Sequence, residues 1–168
     1  MNTPHDEQIL QILHDLPPDT QTIALQALAA WAERDPHTGP LGWLLGLHYV
    51  ERTRGRTACY IDIGPQHHNP GKIAHGGIAF TLADSAMGAA VYTLLEAGQR
   101  CATIELKINY LAPVVEGRTT ATANVISKRR HTAVVTAEVH DKDGELVALA
   151  QGTFAIIHAS QRPPEGDS

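Results

Sequence analysis

Residues 78–95, Ile-Ala-Phe-Thr-Leu-Ala-Asp-Ser-Ala-Met-Gly-Ala-Ala-Val-Tyr-Thr-Leu-Leu, are apolar on nearly every side of a helical wheel and carry one charge, Asp84. Such a helix is stable only where other protein surrounds it on most sides, so it is expected to be enclosed rather than to lie on a surface. A membrane span is disfavoured, because a carboxylate at mid-depth is costly in lipid and the segment is short and rich in Ala and Gly. Inside a protein, that carboxylate must find hydrogen-bonding partners, take up a proton, or serve chemistry.

The flanking pattern supplies the wrapping. Leu44–Arg52 and Arg56–Ile63 read as strands joined at Thr53-Arg54-Gly55, where the glycine can take a positive φ. Beyond the helix, Ala102–Tyr110, Arg118–Ser127, Thr132–Asp141 and Leu146–His158 are rich in Thr, Val, Ile and Ala, with a reverse-turn signal at Asp141-Lys-Asp-Gly144. Two strands, one long helix and four more strands predict an α+β domain whose curved antiparallel sheet wraps the helix. Ahead of it, Ile9, Ile12, Leu13 and Leu16, then Ile23, Leu25, Leu28, Ala29 and Trp31, recur at spacings near three and four, broken by Pro17-Pro18. They predict two short helices packed on the outside, followed by turn chemistry from Asp35 to Pro40. The expected division is a helical arm at 1–40, the main domain at 41–158 and a loose tail at 159–168.

A net charge of -5 and a pI near 6.0 give no general attraction for nucleic acid. Cys59 and Cys101 have neither zinc-finger spacing nor the density of a disulfide scaffold, so both are expected to be reduced core residues. No basic segment followed by an apolar run opens the chain, which predicts a cytoplasmic protein.

The chemistry concentrates in Asn69-Pro-Gly-Lys-Ile-Ala-His75-Gly76-Gly77 and the helix it enters. The first N–H groups of a helix lack intrahelical partners and carry partial positive charge, and a glycine pair allows close approach. A carbonyl oxygen gaining negative charge suits that place, so the arrangement fits acyl transfer. Asp84 follows eight residues after Gly76, about 12 Å along a helix axis. One helix cannot bring both to one carbonyl; a second, antiparallel copy must supply one of them, which predicts a dimer with sites shared across a two-fold axis. His75 is expected to orient the turn, and Asn69 either to shape the loop or to donate to substrate. His67, His68 and His75 lack the nearby carboxylate or cysteine of a closed metal site, so no metal or other cofactor is expected. Lys128-Arg129-Arg130-His131 lies at a hairpin connection; it is either a solvated charge run or a local phosphate site suited to coenzyme A. Thr103 is either a simple strand former or an aid to the site.

Taken together, Asn69-Pro70-Gly71, His75-Gly76-Gly77, Leu82-Ala83-Asp84, the strand Thr103-Ile-Glu-Leu-Lys-Ile-Asn-Tyr-Leu-Ala-Pro113 and the ending Ala148-Leu-Ala-Gln-Gly-Thr-Phe154 resemble the acyl-CoA thioesterases of the hotdog superfamily, in their phenylacetic-acid-degradation branch. The resemblance covers roughly residues 41–158. It implies a hotdog fold, a catalytic homodimer that often pairs into a homotetramer, and active sites at the subunit interface. It further implies Asp84 as nucleophile or general base, the Gly76 N–H as carbonyl-polarising donor, Asn69 and His75 as positioning groups and Thr103 as support. Gly77 and the cations Lys128, Arg129 and Arg130 would meet the coenzyme A moiety. Two rival readings are a hydratase or dehydratase of enoyl or β-hydroxyacyl thioesters pairing His75 with Asp84, and a non-catalytic acyl-CoA sensor.

Overall fold

A computed structural model describes residues 4–33 and 35–158; the expected tail at 159–168 lies outside the described residues. Helices α1 (Pro4–Asp15) and α2 (Pro18–Ala32) break at the proline pair, and Pro18 sits in the first turn of α2, where a missing N–H costs nothing. A third, short helix, α3 (Pro40–Leu44), occupies residues counted above among turn and strand. Its start uses the same device, Gly39 as cap and Pro40 at the first helical position, so β1 begins later than expected, at Leu47–Thr53. Strand β2 (Arg56–Ile63) follows across Gly55, which has φ +75°.

The central helix α4 runs from Gly76 to Tyr92 rather than over 78–95. It starts earlier because His75 caps it and both glycines join the first turn. Then come β3 (Arg100–Tyr110), β4 (Gly117–Lys128), β5 (Thr132–His140) and β6 (Leu146–Ile157). The six strands form one sheet, ordered β1-β2-β4-β5-β6-β3, with every neighbouring pair antiparallel. The sheet curls round α4, which packs against all six strands. Leu82, Ala83, Ala86, Met87, Ala90 and Val91 of the helix meet Cys59, Ile61, Ala121, Val135, Val139 and Phe154 of the sheet in one core. Small helix residues let the sheet come close.

The curl does not close. β1 and β3 remain as the two edges, and the helix shows through the slot between them. Its outer stripe, Phe80, Asp84, Ser85, Gly88 and Tyr92, is exposed or half-buried, so the expectation of full enclosure is corrected: within one chain, one face of α4 is open. Cys59 is a fully buried core residue, whereas Cys101 is half-buried at the slot.

Besides a register shift at the buried Val147 of β6, bulges interrupt three strands, at Val50 in β1, Ile104 in β3 and Ile126 in β4, where register with the neighbour skips one residue. Each inserted residue is a β-branched side chain facing out, 62%, 59% and 63% exposed. An extra residue reverses which side chains face the helix beyond it. In β3, Cys101 and Thr103 face α4 before the bulge; Leu106 and Ile108 do so after it. In β1, Tyr49 lies opposite the inward-facing Cys59, and after the bulge Arg52 lies opposite the inward-facing Thr57.

Candidate active site

The loop entering α4 is held by its own polar groups. Asn69 Oδ1 accepts the Gly71 N–H at 2.8 Å and its main chain bonds both Ile73 and Lys72, so Asn69 is a turn former. The same geometry leaves its Nδ2 hydrogens without a partner among the described residues. His67, 4% exposed, accepts the Gly64 N–H on Nδ1 at 3.1 Å and the His75 N–H on its carbonyl at 2.8 Å. With Nδ1 accepting, the neutral ring carries its proton on Nε2, which is buried and unbonded. Burial pushes the His67 imidazole below its ordinary range; the Leu45 backbone opposes this and His68 adds to it.

His75 is the N-cap. Its Nδ1 accepts the Gly77 N–H at 2.9 Å and its carbonyl accepts the Ile78 N–H, leaving the Gly76 N–H unpartnered among the described residues. Neither glycine needs a positive φ; the requirement is space. A Cβ on Gly76 would lie 3.2 Å from the Tyr110 ring, and one on Gly77 would lie 3.0 Å from His75 Nδ1. Tyr110 donates its hydroxyl to the Gly76 carbonyl at 2.9 Å. Asn69, His75, Gly76, Tyr110 and Val147 line a cavity of about 360 Å³ at this end of the helix.

Asp84 lies in a separate cavity of about 290 Å³, inside the slot between the sheet edges. Asp84 is half-buried rather than sealed away, and its Oδ1 accepts the Thr103 hydroxyl at 2.8 Å. Ser85, Gly88 and Tyr92 continue the cavity along the helix, with Tyr49 and Arg52 on the β1 side and Cys101 on the β3 side. Burial, and then the nearby Asp84 charge, push the Cys101 thiol up to about 11, so it is no nucleophile at neutral pH. Burial likewise pushes the Tyr49 phenol up to about 12; its hydroxyl donates to the Ser85 carbonyl.

The sequence-predicted residues therefore fall into three groups. Asn69, His75 and Gly76 come together, with Gly77 held behind them. Asp84 and Thr103 come together elsewhere on the same helix, and the two cavities share no residue. Lys128, Arg129 and Arg130 sit on the β4–β5 hairpin and line neither cavity. Among the described residues no group of three metal-ligating side chains occurs, and no helix is long and apolar enough to cross a membrane. A further cavity of about 650 Å³ lies on the outer face of the sheet around Lys107, Thr122 and Gln151 and is lined by none of these residues.

Three site residues escaped the sequence reading: Tyr110, Arg52 and His37. Tyr110 had a signal, an aromatic residue closing the strand that begins at Thr103. His37 and Arg52 had none, since one lies in a turn and the other is aimed by a bulge.

Comparison with known proteins identifies the fold family. The thioesterase superfamily profile matches residues 71–148. The conserved protein PA5202 from Pseudomonas aeruginosa superposes with a TM-score of 0.69 at 34% identity, covering 71% of this chain and 95% of that one. A point mutant of the phenylacetic acid degradation protein PaaI from Thermus thermophilus superposes with a TM-score of 0.65 at 30% identity, covering 70% and 98%. The 1,4-dihydroxy-2-naphthoyl-CoA hydrolase of Listeria monocytogenes is 25% identical over 67% of this chain and 91% of its own length. Such identity over nearly the full length of solved relatives, together with a six-stranded sheet wrapped on one helix, shows that the chain belongs to the thioesterase superfamily of hotdog proteins, with PaaI proteins among its relatives.

Proposed function

We propose that this protein hydrolyses an acyl-CoA thioester to the free acid and coenzyme A, at sites built from two copies of the chain. One observation carries the reading: the open Gly76 N–H and the Asp84 carboxylate occupy separate cavities on one helix, each holding half of what thioester hydrolysis needs. In an antiparallel pair of α4 helices, the Gly76 end of one copy faces Asp84 of the other. The open outer stripe of α4 and the unpaired edge of β3, with Phe80, Ile104 and Tyr110 exposed, support a second copy docking there.

The thioester carbonyl oxygen accepts the Gly76 N–H, reinforced by the partial positive charge of the helix end. A fixed donor of this kind lowers the barrier of acyl transfer by about 3 kcal/mol. Asp84 acts at the carbonyl carbon, as general base toward water or as nucleophile giving a mixed anhydride that water then opens. Either way the C–S bond breaks, the thiolate leaves as coenzyme A and takes a proton, and water supplies the oxygen of the acid. Thr103 donates to Oδ1 and so fixes the carboxylate's second oxygen toward the substrate. Half-buried Lys128 and exposed Arg129 and Arg130 are cations for the phosphates of the nucleotide end. The hydratase reading is less well supported, because His75 already commits Nδ1 to the helix cap.

Thiol release from a panel of short, long and aromatic acyl-CoAs tests the reading. Turnover of at least one class is expected; intact acyl-CoA after prolonged incubation with pure dimer overturns it, and enoyl absorbance changes without thiol release would favour the hydratase.

A further inference from the structure

The cavity that holds Asp84 is also lined by a cation, Arg52. Asp35, in the connector that follows α2, accepts the His37 N–H on Oδ1 at 2.7 Å and the Tyr49 N–H on Oδ2 at 3.0 Å, pinning the connector to β1. Its carbonyl also accepts the Trp43 indole N–H at 2.9 Å. That clamp holds His37 at the cavity rim beside Arg52. Arg52 faces the cavity only because of the bulge at Val50; in an unbroken strand it would point outward with Glu51's neighbours. Its guanidinium lies 5.2 Å from the centre of the Tyr49 ring. Among the described residues it forms no ion pair, whereas the adjacent Arg56 is paired with Glu51. A strand irregularity that turns an exposed, unpaired guanidinium to the rim of the cavity holding Asp84 points to an anion as its partner.

Asp84 occupies the reacting end, so that anion must lie away from it. Tyr49 reaches Ser85, next to Asp84, and the Arg52 guanidinium lies 5.2 Å from the centre of the Tyr49 ring, three residues further along β1. Between them the cavity is lined by Gly88, Ala89 and Ala102, small residues that leave room for a methylene chain.

We propose that Arg52 is a specificity residue, and that the substrate is an acyl-CoA whose acyl chain ends in a carboxylate, held by the guanidinium while the thioester carbon meets Asp84. His37 adds a second hydrogen-bonding group at the same rim. The inference rests on the hydrolase reading above and narrows its substrate class.

The test compares kcat/KM for thiol release from adipoyl-CoA and suberoyl-CoA with that from hexanoyl-CoA and octanoyl-CoA. The wild-type protein is expected to prefer the carboxylated member of each pair by about tenfold or more, the discrimination one charge-assisted pair supplies. Arg52→Met should bring that ratio close to one and Arg52→Lys should keep part of it; circular dichroism and melting temperature confirm that both variants fold. Turnover of the neutral thioesters with no carboxylate preference overturns this inference and leaves the hydrolase reading intact. A strong preference that survives Arg52→Met also overturns it. No thiol release from any acyl-CoA overturns both.

Discussion

The two ends of α4 are built in opposite ways. At the N-terminal end the group proposed to act is a backbone N–H, and nearly every polar group around it is already bonded: the His75 ring to Gly77, the Tyr110 hydroxyl to Gly76, Asn69 to Gly71, the His67 carbonyl to His75. Near the middle the group proposed to act is a side chain with, among the described residues, a single hydrogen bond, from Thr103, in a slot open to solvent. A carbonyl-polarising donor works by being fixed in advance, because any reorganisation subtracts from the charge stabilisation it offers. A carboxylate that must meet water or a carbon atom needs free lone pairs instead. The difference explains why one half-site is assembled from loop geometry, and the other from a helix position and a strand bulge.

The sharpest way to break this comparison is at the carboxylate. Asp84→Asn keeps shape and the Thr103 bond while removing base and nucleophile, and should lower kcat on the best acyl-CoA by about a thousandfold. A variant within a few-fold of wild type would remove Asp84 from the chemistry.

Mixing subunits tests whether the two ends belong to different chains. Asp84→Asn and Gly76→Val proteins, each inactive, should after exchange form heterodimers with one intact and one doubly damaged site. A random mixture would then recover about a quarter of wild-type activity, half the dimers each having one good site. No recovery in a mixture shown by mass to contain heterodimers sinks the shared site.

Thr103→Val removes the one bond at the Asp84 end. A hydrogen bond to a charged group is worth about 1.5 kcal/mol or more, so kcat should fall about tenfold with KM little changed. An unchanged kcat would make Thr103 a mere strand residue.

The smallest expected effect probes the well-bonded end. The His67 imidazole is held below the usual 6.5 by burial, so as pH falls below that value the unfolded chain takes up a proton that the folded chain resists. Stability from this residue is therefore complete above about pH 6.5 and is lost as the medium becomes more acid. His67→Gln, which can still accept the Gly64 N–H, should show a shallower fall in melting temperature between pH 7.5 and 5.5 than the wild type. An identical slope would show that this buried ring does not titrate with folding.

The sequence made the helix, its cap and its carboxylate legible for a common reason: each is a local pattern. An apolar wheel with one charge, a His-Gly-Gly entry and an eight-residue interval need no knowledge of distant residues. Sheet order was not legible, because nothing in β3 itself says that it pairs with β6 at the far edge. The bulges were hidden for a related reason. Val50, Ile104 and Ile126 are good strand formers, and an inserted β-branched residue reads as continued strand, so the reversal of phase beyond it cannot be seen without the neighbouring strand. Arg52 was lost with that reversal. The helix α3 was missed although Gly39-Pro40 is a helix-start signal, since five residues give too little periodicity to weigh against a turn. The helix reads as enclosed because a wheel with no polar face implies burial; the slot between β1 and β3 is a property of how far the sheet curls.

The extra residue in β3 also limits how this chain can change. Thr103 must point at the helix to hold Asp84, and Leu106 and Ile108 must point the same way to complete the core. Three and five positions apart, they share a side only through Ile104. Deleting that one exposed residue would leave every other side chain in the strand intact, yet would force a choice between a solvated pair of aliphatic groups and an unsupported carboxylate. A surface isoleucine whose own side chain touches neither Asp84 nor the interior thus sets, by its presence alone, which side chains of β3 reach both.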